Sequence, residues 1–164
     1  MADPDCATLF AAAPSPYLVL GSNLVIAEVN RACPVATGRT REELLGRYLS
    51  DAFSGNPADP DADGVRNLNA SPHRVLLSRE PDTMALHRHD IPVTDRPGTF
   101  EERWWPPFDT PIPAPDGTAE CIIHRVEDVT AFIRSRASGG LPPPTGPPTG
   151  REALEAELYA ARTG

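Results

Sequence analysis

Four histidines, three cysteines and several close-set carboxylates are the side chains of this 164-residue chain that could do chemistry. His87 and His89 stand two apart, so on a strand they share a face and could seed a divalent site with Asp90 or His124. A metal needs three or four converging ligands, and the sequence closes no such set; the plain reading is a half-exposed polar strand face and no metal. Glu101 and Glu102 are adjacent, and neighbours on a strand point to opposite faces, so they cannot share one substrate. Asp59, Asp61 and Asp63 alternate between Gly55 and Gly64. The sixth-position glycine and closing glutamate of a twelve-residue calcium loop are missing, which leaves a solvated acidic loop. Cys6, Cys33 and Cys121 are odd in number, far apart and without a C-x-x-C, as expected of reduced thiols serving as small buried hydrophobes. No Gly-x-Ser-x-Gly, phosphate loop, His-Glu-x-x-His or nucleophile–base pairing is visible, so the chain does not read as an enzyme.

Composition narrows the class further. All 15 basic residues are arginine, against 23 acidic ones, for a net charge of −8. Phosphate binding needs clustered cations, so nucleic acid is not an expected partner. No apolar run is long enough to span a bilayer and no basic, then apolar leader opens the chain; a cytoplasmic protein is expected. The 20 prolines are unevenly spread. Leu141–Gly150 reads as a polyproline and glycine linker, too poor in apolar residues to pack. Setting it and the acidic loop aside leaves roughly 120 residues, enough for one modest core.

The elements that must position these side chains follow from local pattern. Asp5–Ala13 reads as a short helix stopped by Pro14 and Pro16. Tyr17–Leu20, a Gly-Ser-Asn turn and Leu24–Val29 read as a β-hairpin. Asn30 is placed to cap a short helix through Val35 that Gly38 ends. Thr40 and Glu43 have the spacing of a capping box, and Gly46 closes that helix. Val65, Leu68, Val75 and Leu76 recur at helical spacing across Pro72. This reads as one longer helix kinked at the proline, or else Ser71 caps a fresh segment. Three strands are then expected at Met84–Ile91, Phe100–Trp105 and Ala119–Val126, with Asp116-Gly117 turning into the last. The fold class is α+β with one antiparallel sheet. The final strand hands over through Glu127 and Asp128 to an amphipathic helix, where Asp128 and Thr130 can both act as caps.

That order of elements resembles the PAS fold, a five-stranded antiparallel sheet with short helices on one face. The resemblance is carried by Leu9-Phe-Ala-Ala-Ala-Pro14 with Tyr17-Leu-Val-Leu20, Arg41-Glu-Glu-Leu-Leu-Gly46, Gly64-Val-Arg-Asn-Leu68, Phe100-Glu-Glu-Arg-Trp-Trp105 and His124-Arg-Val-Glu-Asp-Val-Thr130. It looks most like PAS segments that precede bacterial histidine kinases and related regulators. The resemblance divides the chain into a flanking helix at 1–16, the domain at 17–135, a linker at 136–150, and the start of a signalling helix or disordered tail at 151–164. In that tail Leu154 and Leu158 stand at i and i+4, as in a nascent coiled-coil seam. No output module follows, so the chain reads either as part of a longer regulator or as a stand-alone domain with a vestigial tail.

What the resemblance implies is sensing: a small ligand between sheet and helices or none, a homodimer, and relay through the last helix to a kinase or other output. Asp128-Val129-Thr130 matches the family's Asp-Ile-Thr junction and would tie that helix to the sheet. Counting back by twos, Val126, His124 and Ile122 would face the helices and line any pocket, with Trp105 turned inside and Trp104 outside. His73, on the long helix, is the one candidate haem ligand, against a plain reading as a solvent-facing residue beside Arg74. Asn30-Arg-Ala-Cys33 only superficially resembles a flavin-binding signature and lacks its Arg-Phe. No cofactor is the leading expectation. The rival function is a ligand-free protein-interaction module with a filled interior.

Overall fold

The computed structural model describes residues 3–53, 63–84, 87–88, 90–93 and 95–140, with the backbone alone at 63–67, 87–88 and 92. The acidic stretch through Asp59 and Asp61, His89, the proline linker and the Leu154/Leu158 tail lie outside them. Helix α1 (Cys6–Ala12) precedes the hairpin β1 (Tyr17–Gly21) and β2 (Ile26–Val29). The connection holds Leu24 at φ 59°, buried despite a left-handed backbone that few non-glycine residues adopt. Three short helices follow: α2 (Ala32–Thr37), α3 (Arg41–Leu44) and α4 (Leu49–Ala52). The capping box on α3 forms in full: Thr40 Oγ1 accepts from the Glu43 N–H at 3.2 Å, and Glu43 accepts from the Thr40 N–H at 2.8 Å. That backbone donor is the main reason the Glu43 carboxyl is held below its ordinary value.

Asn30 does more than cap. Its Oδ1 accepts from the N–H groups of Cys33 and Tyr17, and its Nδ2 donates to the carbonyls of Ala13 and Ser15. One buried amide thus fastens the exit of α1, the start of β1 and the entry of α2.

Helix α5 (Asp63–Ser78) runs unbroken through Pro72. Leu68, Ser71, Pro72 and Val75 form its buried stripe, a spacing of three and four that turns one face to the sheet. His73 falls off that stripe and is exposed.

The main sheet has the order β2-β1-β9-β8-β3, with every pairing antiparallel. Its last two members correct the sequence reading. The fourth strand is β8 (Phe108–Pro113), which no sequence expectation named, and the third is the two-residue β3 (Asp82–Thr83). The expected strands 84–91 and 100–105 instead make two small ladders, β4 (His87–Arg88) with β7 (Trp104–Trp105) and β5 (Ile91–Pro92) with β6 (Phe100–Glu101). Prolines disguise β8, because each removes a ladder donor. β3 pairs with Asp109 and Phe108, and among the described residues no strand pairs with the outer side of β8 beyond Asp109. Pro111 and Pro113, two apart, place both missing N–H groups on that free side.

Strand β9 (Ala119–Arg125) is central, between β1 and β8, and its inward side chains are fully buried at Ile122 and His124. The core beneath β1 and β2 is closed by Leu18, Leu20, Ile26, Leu44, Leu49 and Ile122, all nearly inaccessible. Helix α6 (Thr130–Ser138) leaves the sheet after β9 and continues past the boundary expected at 135.

Candidate functional site

Two neighbouring cross-strand rows on the inner face of the sheet differ in kind. Leu20, Ile122 and Pro111 make one, which is apolar. Leu18, His124 and Asp109 make the next, because β8 pairs with β9 in a register that sets Asp109 directly opposite His124. His124 Nδ1 lies 2.6 Å from Asp109 Oδ1, and Ser71 of α5 donates its hydroxyl to Asp109 Oδ2 at 2.7 Å. All three side chains are fully buried. A buried carboxylate is tolerated only with its lone pairs satisfied, and here one donor comes from the helix and one from the adjacent strand.

An ionised Asp109 can only accept, and the contact then calls for a proton on His124 Nδ1. His124 Nε2 is buried and has no hydrogen-bond partner among the described residues. His124 lines a cavity between the sheet and the helices, together with Thr37, Phe53, Leu68, Ile91, Trp105, Pro107 and Val126. The cavity's free volume, about 30 Å³ open to the centre of a water molecule, is on the order of two water molecules. Thr37 spends its hydroxyl proton on the Cys33 carbonyl at 2.8 Å, leaving its oxygen as an acceptor.

Of the four expected pocket residues, His124, Val126 and Trp105 meet at this cavity, while Ile122 belongs to the closed core and does not line it. Trp105 is buried against Ile91 and Val126, and Trp104 lies outside. Trp104 covers Val129, Phe132 and Ile133 at the root of α6 rather than the N-terminal helix.

At that root Asp128 and Thr130 are engaged, though not as ordinary caps. The helix begins at Thr130, with Val129 in the capping position. Asp128 Oδ1 accepts from the Thr130 N–H at 2.9 Å and from its hydroxyl. Asp128 Oδ2 accepts from Arg103, which also donates to Glu101 at 2.9 Å. Thr130 Oγ1 in turn accepts from the Trp104 N–H at 2.9 Å, and the Val129 N–H donates to the Trp104 carbonyl at 2.9 Å. Burial would lower the Arg103 pKa, but Asp128 and Glu101 outweigh it and raise it, so the guanidinium stays charged. The segment carrying Trp104 is therefore stitched to α6 by two backbone groups and an ion pair.

Other expectations are corrected. His73 stands on the outward face of α5, away from the cavity, so it cannot deliver a ring nitrogen to a group bound there. Of the cysteines only Cys33 is buried; burial pushes its thiol up to about 12, which suits a hydrophobe rather than a reactive thiol. Cys6 is exposed and Cys121 half-buried. Only the backbone of His87 is described, and no three metal-binding side chains converge among the described residues. Ser71, Asp109, Thr37 and Arg103 were missed by the sequence reading. The turn at Asp116-Gly117 carried a signal for one of them: counting outward from it pairs position 109 with 124.

Comparison with solved structures places this architecture. The PAS domain of nitrogen regulation protein NR(II) from Vibrio parahaemolyticus is similar, with TM-score 0.55, 12% identity, and coverage of 77% of this chain and 99% of that one. A sensory box sensor histidine kinase from Vibrio cholerae is similar at TM-score 0.53 and 17% identity, covering 76% and 88%. VqmA bound to DPO is similar at TM-score 0.54 and 19% identity, covering 74% of this chain and 56% of that one, so this chain spans a little over half of that relative. At such identities the likeness is one of fold. No curated protein matches the sequence. The sequence itself matches the family model described as the PAS fold across residues 10–134, from α1 through the first half of α6. The chain belongs to the PAS family.

Proposed function

We propose that this is a sensory domain that takes a small molecule into the cavity beneath β8 and β9 and relays its presence through α6. The observation that carries the reading is the cavity lined by His124, whose Nε2 is buried with no hydrogen-bond partner among the described residues, on the strand that continues into the outgoing helix. Burying such an atom costs about 1–3 kcal/mol, a cost that an occupant offering a hydrogen bond recovers. An occupant favours one arrangement of sheet and helices over another only by its differential affinity for the two. The structural neighbours include a sensor histidine kinase and a ligand-bound VqmA, which supports a signalling role with a kinase or other output as partner. VqmA of Vibrio cholerae is a DNA-binding LuxR-type receptor, but about half of its length lies outside the match; for the acidic residues here we infer no nucleic-acid partner.

The domain acts as a homodimer in this reading. Its outer sheet face, with Tyr17, Phe108, Thr110 and Ile123, forms an open groove beside Phe10 of α1 and Ala13 just past its end. Phe108 at 37% and Leu9 at 54% exposure are the large apolar side chains that a second copy would cover. No described helix is long and apolar enough to cross a membrane, which is compatible with a cytoplasmic sensor. The reading is of a binder rather than an enzyme, since the cavity offers a base in Nε2 while Thr37 is committed to a carbonyl. A ligand-free docking module is the rival, favoured by that same outer face.

Native mass spectrometry of the purified protein tests both halves at once. A mass of two chains plus a small-molecule increment is expected. Bare monomer throughout, with no increment after incubation with small-molecule extracts, would overturn the sensory reading.

A further inference from the structure

Trp104 and Trp105 are neighbours on β7 and turn to opposite faces, as alternation along a strand requires. Trp105 is buried with Ile91 and Val126 and lines the cavity. Trp104 packs with Phe132 against Val129 and Ile133 at the root of α6. One planar peptide joins them, so a shift of β7 that re-seats one indole also re-aims the other. Both backbone groups of Trp104 are spent on that root: its N–H donates to Thr130 Oγ1 at 2.9 Å, and its carbonyl accepts from the Val129 N–H at 2.9 Å. Beside it Arg103 donates to Asp128. Cavity wall and outgoing helix thus meet in two consecutive residues.

Strands β9 and β7 both reach from the cavity to α6, and they differ in freedom to move. Strand β9 is paired along most of its length with β1 on one side and β8 on the other, so displacing it breaks two ladders. Strand β7 is two residues long, pairs with the equally short β4, and runs into Pro106 and Pro107, which supply no ladder donors. A two-stranded ribbon is marginal on its own, and the elements that move are drawn from the least stable parts of a fold. Resting on the sensory reading above, we propose that Trp104-Trp105 is the moving part of the relay. A change on the cavity side re-seats Trp105, carries Trp104 with it, and tightens or releases α6 through Thr130 and Val129 while β9 stays in place. Such coupling is reciprocal, so whatever loosens the root of α6 also disturbs Trp105.

Amide hydrogen exchange of the full chain, with no ligand added, tests the link from both ends. Trp105→Phe should speed exchange of the α6 amides about fivefold or more while β1 keeps its protection. Ile122→Val, a loss in the closed core outside this path, should show no such selectivity for α6. Thr130→Val removes the oxygen that accepts from Trp104, and in that background Trp105→Phe should add little further, because the link is already cut. The converse readout leaves Trp105 unaltered: in Thr130→Val alone the ¹⁵N signal of the Trp105 indole should shift, and this decides if Trp105→Phe does not fold. Equal loss of protection in β1 and α6 from Trp105→Phe, full additivity of the two substitutions, or an unmoved Trp105 indole in Thr130→Val would each overturn the relay. The coupling with a bare mass in native mass spectrometry sustains the link and removes the sensory reading; a small-molecule increment without the coupling overturns the link alone.

Discussion

Ile122 and His124 are two residues apart on one strand, face the same way, and are equally buried, yet they serve opposite ends. Around Ile122 the sheet closes on β1, β2 and the short helices, with Leu18, Leu20, Leu44 and Leu49 leaving nothing polar to satisfy. Around His124 the same sheet meets α5 through a chain of two hydrogen bonds and leaves a space beside the ring. Apolar contact is non-directional and tolerates exchange of shapes, while a buried polar chain fixes geometry and fails when one member is lost. The first half holds the fold together; the second is where the proposed sensing would act.

The strongest way to break this contrast is at Asp109. Replacing it with Leu strands the Ser71 hydroxyl and the His124 ring, and should cost about 3–5 kcal/mol in urea unfolding. Adding His124→Leu to it should recover much of that loss, since two matched apolar residues need no partner. In the closed half, Ile122→Val should cost only about 1 kcal/mol in the same urea unfolding. Equal costs at the two positions would erase the distinction drawn here.

At the junction, Asp128→Ala removes the acceptor shared by Arg103 and Thr130 and should destabilise by about 1 kcal/mol, the scale of a lost helix-end partner. Amide protection along α6 should fall while that of β1 is kept; unaltered protection in α6 would separate Asp128 from the helix.

The smallest effect belongs to Asp82, which sits across from Asp109 on β3. Burial would raise its carboxyl, but the Arg74 guanidinium at 2.7 Å acts against it, and the carboxyl is held below its ordinary value. A carboxyl depressed in the folded state adds stability above its unfolded value, near about 3.9, that is lost as pH falls through the folded one. Arg74→Leu should therefore cost less than about 1 kcal/mol at neutral pH, since the pair is partly exposed. It should also move the acid unfolding midpoint upward. An acid limb that does not move would show Arg74 to be irrelevant there.

Where partners are close in sequence, the sequence was readable. The capping box at Thr40 and Glu43, the hairpin of β1 and β2, the continuous α5 across Pro72 and the passage from β9 into α6 each depend on residues within a few positions. Trp105 is turned inward, as the resemblance implied. The candidate site was less legible because its partners lie far apart: 15 positions separate Asp109 from His124, and 38 separate Ser71 from Asp109. The pairing of Asp109 with His124 depends on β8 being a strand, and Pro111 and Pro113 argued against one. Only the sheet's unpaired outer edge, a tertiary fact, makes those prolines acceptable. The solvent-facing reading of His73 was local too, since Leu68 and Val75 define a buried stripe that passes it by, and His73 is exposed.

The account turns on where one proton sits. Long-range ¹H–¹⁵N correlation of the His124 ring measures it directly, and an ionised Asp109 predicts a proton held on Nδ1 with Nε2 left bare. A bare Nδ1 with the proton fixed on Nε2 would contradict it.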